Sequence, residues 1–247
     1  SVGNFGNFFQ WSAGLDCTVI AHWIGTDILQ HQEAIDQGAF DPFEKAIHVA
    51  DAPHLVEEVK ALTGQAVGYV RSIPPVPRAG VEIRGWDHVL CYVPASREDF
   101  FRYPWIQEVA TDFPGLTFEV LRPGTKGGVN GNIIEHAELD GEQTLAAMER
   151  SFALLRPVVH DGVGLTLVEM AQLGRFIIHS DRRIPHALPG DSVGAIEFWL
   201  DRILQDKQPP PEAVGEYYRN EYSERGLEED VVRLAAKLGT NGGEKDD

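Results

Sequence analysis

Residues 153–180 read ALLRPVVHDGVGLTLVEMAQLGRFIIHS: an apolar run, an acidic glycine-bearing turn, a stretch of helical spacing and a second apolar run. Strand, turn, helix, strand is the unit from which parallel sheets are built. Glycine in such a turn lets backbone N–H groups approach a ligand, and a helix N-terminus is electropositive, so the turn suits a phosphate. His160 and Asp161 add polar groups to it, and a carboxylate there suggests a ligand that also carries hydroxyls. In an open parallel sheet the ligand crevice lies at the carboxyl ends of the strands, which is where Asp161 follows ALLRPVV.

The same alternation extends in both directions. TVIAHWI, KAIHVA and QAVGYV read as strands, GTD as a turn, and PHLVEEVKALTG as a helix entered through Pro53 and left at Gly64. SIPPVPRAG (72–80) is too rich in proline to pair inside a sheet and marks a linker. Beyond it HVLCYV, TFEVLRP and NIIEHAEL read as strands, EDFFRYPWIQEVATDF and TLAAMERS as helices, and GTKGGVNGN as a loop. SVGAIEFWLDRIL is a further helix, and after QPPPE come two polar helices and a polar tail. The order predicts an α/β chain of two Rossmann-like lobes with parallel sheets: a small lobe over 1–75, a larger one over 82–205, and terminal helices with a frayed tail over 206–247.

The chain has 247 residues, 43% hydrophobic and 24% charged, enough for a sizeable core. Its net charge of -17, from 38 acidic and 21 basic residues, argues against binding nucleic acid or anionic membranes, so an anionic ligand must be caught locally. Cys17 and Cys91 are far apart in apolar contexts and form no disulfide or metal framework, which points to a reducing cytoplasm. No apolar run is long enough to span a bilayer, and SVGNFGNFFQW lacks the features of a signal peptide. The histidines are scattered without ligand spacing, and there is no Asp-x-Asp sequence, so no metal site is expected.

Asp161 and Glu169 stand eight residues apart, one in the turn and one a turn inside the helix, so both can face one cleft. Taken singly, Asp161 and Thr166 could merely cap the helix and Glu169 could be a solvated face residue. Together they carry a likeness. LRPVVHDGVGLTLVEMAQLGRFII resembles the donor motif of retaining glycosyltransferases of the GT-B fold, the group that includes sucrose and glycogen synthases and many bacterial mannosyl- and glucosyltransferases. That motif sets an acidic residue, usually Glu, ahead of a second Glu with seven residues between them, and Asp161 and Glu169 match the spacing.

The resemblance implies a metal-independent hexosyltransferase that moves a sugar from a nucleoside diphosphate sugar, its donor substrate, to an acceptor hydroxyl on a glycan, lipid or small molecule. Glu169 would hold the ribose, Asp161 the sugar hydroxyls, and the amides of Gly162, Gly164, Leu165 and Thr166 the diphosphate. The cations that neutralise the leaving group would come from Arg97, Arg102 in place of the usual Lys, and Lys126 in GTKGG; the two arginines could equally sit on a solvated helix face. Arg156 reads as a buried cation or an edge residue, with a phosphate role open to it. AHWIGTDIL resembles the family's His-Gly-x-Asp stretch and would place Gly25 and Asp27 on the acceptor side. Ile24 then stands at the His position, and His22, two residues earlier, either replaces it or belongs to the core. His54 reads as a capping or surface residue, and Trp86, Tyr103 and Trp105 as core aromatics or stacking platforms.

The small lobe looks reduced beside the family's usual one, with GNFGNFF standing in for the acceptor loop. Apolar sheet surface left by that reduction could be covered by a second copy. Two other functions fit the same residues: a non-catalytic subunit that binds a nucleotide sugar or glycan, and a sugar-nucleotide epimerase.

Overall fold

A computed structural model describes residues 19–25, 27–36, 46–72 and 79–241. GNFGNFF, Cys17 and most of both the proline-rich linker and the polar tail lie outside them. The chain divides into two compact units. One comprises the described parts of Ser1–Ile73, Asp161–Val163 and Tyr222–Asp247; the other comprises those of Pro74–His160 and Gly164–Glu221.

In the first unit β1 (Ile20–Trp23), β2 (Ile47–Ala50) and β3 (Val67–Tyr69) form a parallel sheet in that order. The connections are α1 (Asp27–Asp36) and α2 (Pro53–Thr63). GTD is therefore not simply a turn: Asp27 opens a helix. α2 starts and stops as its sequence demands, with proline in its first turn and Gly64 left-handed at φ 69°, its N–H bonded to Lys60 O. α8 (Glu224–Asn241) packs on β3, with Leu234 beside Gly68. Arg71 and Asp230 form an ion pair there, Nε to Oδ2 2.6 Å, with side chains 7% and 0% exposed.

The second unit holds seven strands in the order β10-β9-β8-β4-β5-β7-β6. They are β4 (His88–Tyr92), β5 (Thr117–Leu121), β6 (Gly128–Asn130), β7 (Ile133–His136), β8 (Ala153–Arg156), β9 (Phe176–His179) and β10 (Leu188–Pro189). The chain starts at the centre with β4, runs outward through β5 and β7, then returns to β8 on the other side of β4. That is the doubly wound order, and its direction reverses between β4 and β8. β8 is buried at every residue, as an apolar run covered on both faces should be. Two expectations change: GTKGGVNGN is not all loop, since it contains β6, and the sheet is not wholly parallel, since β6 runs antiparallel to β7.

Helices α3 (Tyr103–Asp112), α4 (Gly141–Arg150), α5 (Leu165–Gln172), α6 (Val193–Asp206) and α7 (Glu212–Glu221) belong to this unit. α3 is shorter than EDFFRYPWIQEVATDF suggested, because the first five residues of that stretch, 98–102, form turns that continue from a 3-10 turn at Ala95–Arg97. Phe118, Phe152, Leu155 and Ile106 are among the fully buried side chains of its core. Among the described residues no helix is long and apolar enough to cross a membrane.

Candidate active site

The switch point between β4 and β8 is where a doubly wound sheet opens a crevice, and the loops that follow these two strands carry the charged groups. Beyond β4, Arg97 ends the 3-10 turn with its guanidinium 4.4 Å from the Phe100 ring centroid and 5.8 Å from that of Phe101. An open recess of about 430 Å³ is lined by Ala95–Phe100. At the end of β8, Arg156 is 7% exposed and stands over the same Phe101 ring at 5.4 Å and over Tyr92 at 5.8 Å. Two guanidiniums thus share one aromatic platform. Val159 N donates to Phe100 O at 2.9 Å, joining the two loops. The strand itself ends at Arg156, so ALLRPVV does not carry its extended pairing as far as Asp161.

Gly164 is the N-cap of α5, in extended conformation, and no side chain caps the helix. The Arg156 guanidinium lies close over it: a Cβ there would stand 3.0 Å from Arg156 Nη2. The N-terminal amides of α5 and the Arg156 guanidinium therefore lie close together, an arrangement suited to an anion. Leu165 is exposed on the first turn, Thr166 is half-buried beside it, and Glu169 is half-buried one turn further on. Arg102 instead caps α3 in a left-handed conformation, φ 47°, and stacks 4.2 Å from the Trp105 ring. Lys126 is exposed just ahead of β6. A second recess of about 520 Å³ lies at the amino ends of the strands, between Trp86, Gly174, Pro210 and Arg219. It is larger, yet it stands away from the switch-point loops.

The remaining residues gather at the carboxyl edge of the three-stranded sheet. Asp161–Val163 groups by its contacts with the first unit. Asp161 is 7% exposed, and its carbonyl accepts a hydrogen bond from His54 Nε2 at 2.9 Å. His54 is thus neither a simple cap nor a surface residue. Gly25 is buried at φ 108°, and a Cβ on it would stand 2.7 Å from Gly162 N and 3.2 Å from the Asp161 carbonyl carbon. Only glycine allows the two backbones this approach.

Asp27 spends its carboxylate on the Ile24 amide, at 3.0 and 3.2 Å. His22 is exposed rather than in the core and donates from Nε2 to Val70 O at 3.1 Å. Asp51, just past β2, escaped the sequence reading altogether. Burial pushes its carboxyl up to about 7, and the Asp161 and Asp27 carboxylates add to the effect. Among the described residues no group of three or more His, Cys, Asp or Glu is arranged to hold a metal ion.

No family model matches the chain, and no curated protein matches its sequence. Solved structures do match in shape. TarM superposes with a TM-score of 0.67 at 12% identity, over 93% of this chain and 53% of its own. The fold is that of the GT-B glycosyltransferases. Sucrose-phosphate synthase from Thermosynechococcus elongatus gives 0.61 at 11% identity, over 97% and 78%, and the lipopolysaccharide outer core galactosyltransferase WaaB gives 0.61 at 13%, over 96% and 79%. The chain spans about half the length of TarM, and all three likenesses speak for the fold alone.

Proposed function

We propose that the chain transfers a hexose from a nucleoside diphosphate sugar to an acceptor hydroxyl, with retention and without a metal. The observation that carries this reading is the Asp161-to-Glu169 turn and helix beside the switch point of a doubly wound sheet, with no side-chain cap on α5 and Arg156 against its N-cap residue Gly164. The bond from the anomeric carbon to the diphosphate oxygen breaks, a bond to the acceptor oxygen forms on the same face, and the acceptor's proton leaves with the diphosphate. The barrier lies in the charge that develops on that leaving group, so preorganised donors and cations lower it most.

In this reading Glu169 accepts from the ribose hydroxyls, Asp161 from the sugar hydroxyls, and the amides of Gly162, Gly164, Leu165 and Thr166 face the diphosphate. Arg97 offsets its charge. Arg156 serves as the second cation, because it shares the Phe101 face with Arg97, whereas Arg102 is engaged with Trp105. Lys126, on its exposed loop, is a further cation for the donor. His22, Gly25 and Asp27 shape the acceptor side. Two structural neighbours support the ligand class: a mutant of S. aureus TarM is in complex with fondaparinux, alpha-GlcNAc-glycerol and UDP, and a pneumococcal O-GlcNAc transferase, GtfA, is in complex with UDP and GlcNAc.

Calorimetry with a panel of UDP, GDP and ADP tests the site. Glu169→Ala is expected to weaken binding of the preferred diphosphate by at least about a hundredfold, roughly 2.7 kcal/mol. Unchanged affinity sinks the assignment. Retention and metal independence are read from the anomeric configuration of the product and from turnover in the presence of a chelator.

A further inference from the structure

Asp51 is 4% exposed, and its Oδ1 has no hydrogen-bond partner among the described residues. Leaving a buried carboxyl oxygen unsatisfied is costly, so its position calls for a reason. Oδ1 faces Gly162 so closely that a Cβ there would stand 2.5 Å away, with Leu55 Cδ1 at 3.1 Å. Two further contacts hold the same turn from other elements: the Gly25 backbone against Gly162 N, and His54 on the Asp161 carbonyl. We propose that Asp51 is a positioning residue that, from beneath Gly162, sets the Asp161–Gly162 turn and so the stance of the Asp161 carboxylate. The functional consequence rests on the reading of Asp161 as the sugar contact.

The groups that face Asp51 decide how this support responds to pH. Asp27 stands at the start of α1 and Asp161 in the turn, both acidic and both acting on Asp51. Ser72, after β3, approaches Oδ2 from Oγ at 3.5 Å, a weak contact. His54 of α2 is committed to the Asp161 carbonyl. A neutral Asp51 fits beside Asp161 without repulsion. An ionised one sets a second buried negative charge against it, so the turn is held firmly at acidic pH and loosens as pH rises through about 7.

Amide ¹⁵N spectra of the full chain between about pH 5.5 and 8.5 test this directly. The Asp161 and Gly162 amides should titrate together in the wild type with one midpoint near 7, and should stay near their low-pH positions throughout in Asp51→Asn. The same titration in Asp51→Asn, or flat wild-type amides, overturns the proposal. Should Asp51→Asn not fold, Asp27→Asn takes its place: removing one like charge is expected to move the midpoint down, and an unmoved midpoint counts against the proposal. Donor hydrolysis gives the functional readout, with a fall of about fivefold from pH 6 to 8 in the wild type, none in Asp51→Asn, and unchanged diphosphate affinity in both. Failure of the Glu169→Ala binding test would remove the glycosyltransferase reading and leave the amide titration to decide the role of Asp51.

Discussion

The two units treat their buried carboxylates differently. In the seven-stranded unit Glu119 is 1% exposed, yet it meets His88 Nδ1 at 2.7 Å, His136 Nε2 at 3.1 Å and both nitrogens of the Arg150 fork. Arg175, also 1% exposed, donates to Val81 O and Glu149 O at 2.7 Å each. Arg122 joins Glu98 and Glu135. In the three-stranded unit Arg71 and Asp230 are matched as well, but Asp51 is not. Paired burial holds elements together, as Glu119 does for β4, β5, β7 and α4. Asp51, buried without that compensation, stands instead at the carboxyl edge against the turn that carries Asp161.

The hardest way to break this comparison is to unpair a charge in the small unit. Arg71→Met leaves the buried Asp230 with the longer Arg233 Nη1 contact at 3.3 Å and the backbone N–H of residue 71 at 3.1 Å, so the loss is expected toward the lower end of the 3–5 kcal/mol, about 3 kcal/mol, that removing one partner of a buried pair costs. Native-state hydrogen exchange should then show lost protection in β1–β3 while β4, β5 and β8 keep theirs. Simultaneous loss in both sheets would mean that the units do not differ in stability as their buried charges suggest.

A pH titration sharpens the contrast because the two carboxylates shift in opposite directions. The folded Asp51 binds its proton more tightly than the unfolded chain does, from 3.8 up to about 7. Its contribution is therefore complete below the unfolded value and is lost as pH rises through about 7, at roughly 1.4 kcal/mol per pKa unit. For Glu119 burial alone would raise the pKa, but Arg150 and then His88 outweigh it and hold the carboxyl below its ordinary value. Its stabilisation is present above that value and disappears as pH falls through the folded one. Protection of β1–β3 is thus expected to weaken from pH 5 to 8, while the Glu119 contribution to β4, β5 and β7 fails only in acid. Parallel pH dependence of both sheets would contradict the opposed shifts.

These opposed carboxylates also show what the sequence could and could not reveal. The alternation of strands and helices, the limits of α2 and the Asp161-to-Glu169 spacing are local patterns, legible because each depends on residues within a turn or two. β6 is exposed at every residue and β10 is two residues long, so neither has a periodicity to detect. His54 read as a capping or surface residue, and Asp51 carried no signal at all. What gives them a role is the Asp161–Gly162 turn, 107 residues beyond His54, and only the fold brings these together. Arg156 was visible as a charge in an apolar strand, yet its partnership with Arg97 needed the switch point to set β4 beside β8.

Helix capping offers the finest test of the division between architecture and site. α4 carries a complete capping box, Asp140 accepting from Gln143 N at 2.8 Å while Gln143 accepts from Asp140 N, and α6 is capped by Ser192. α2 and α3 lack a side-chain cap but each takes a proline in its first turn, whereas α5, beside the switch point, has Gly164 and neither device. If the first amides of α5 are left for a diphosphate, the caps elsewhere serve stability alone. Asp140→Ala should cost about 1 kcal/mol, seen as a drop of a few degrees in the melting temperature of the seven-stranded unit, with nucleoside diphosphate affinity unchanged. A loss of affinity in that variant would show that the capped and uncapped helices do not divide these tasks.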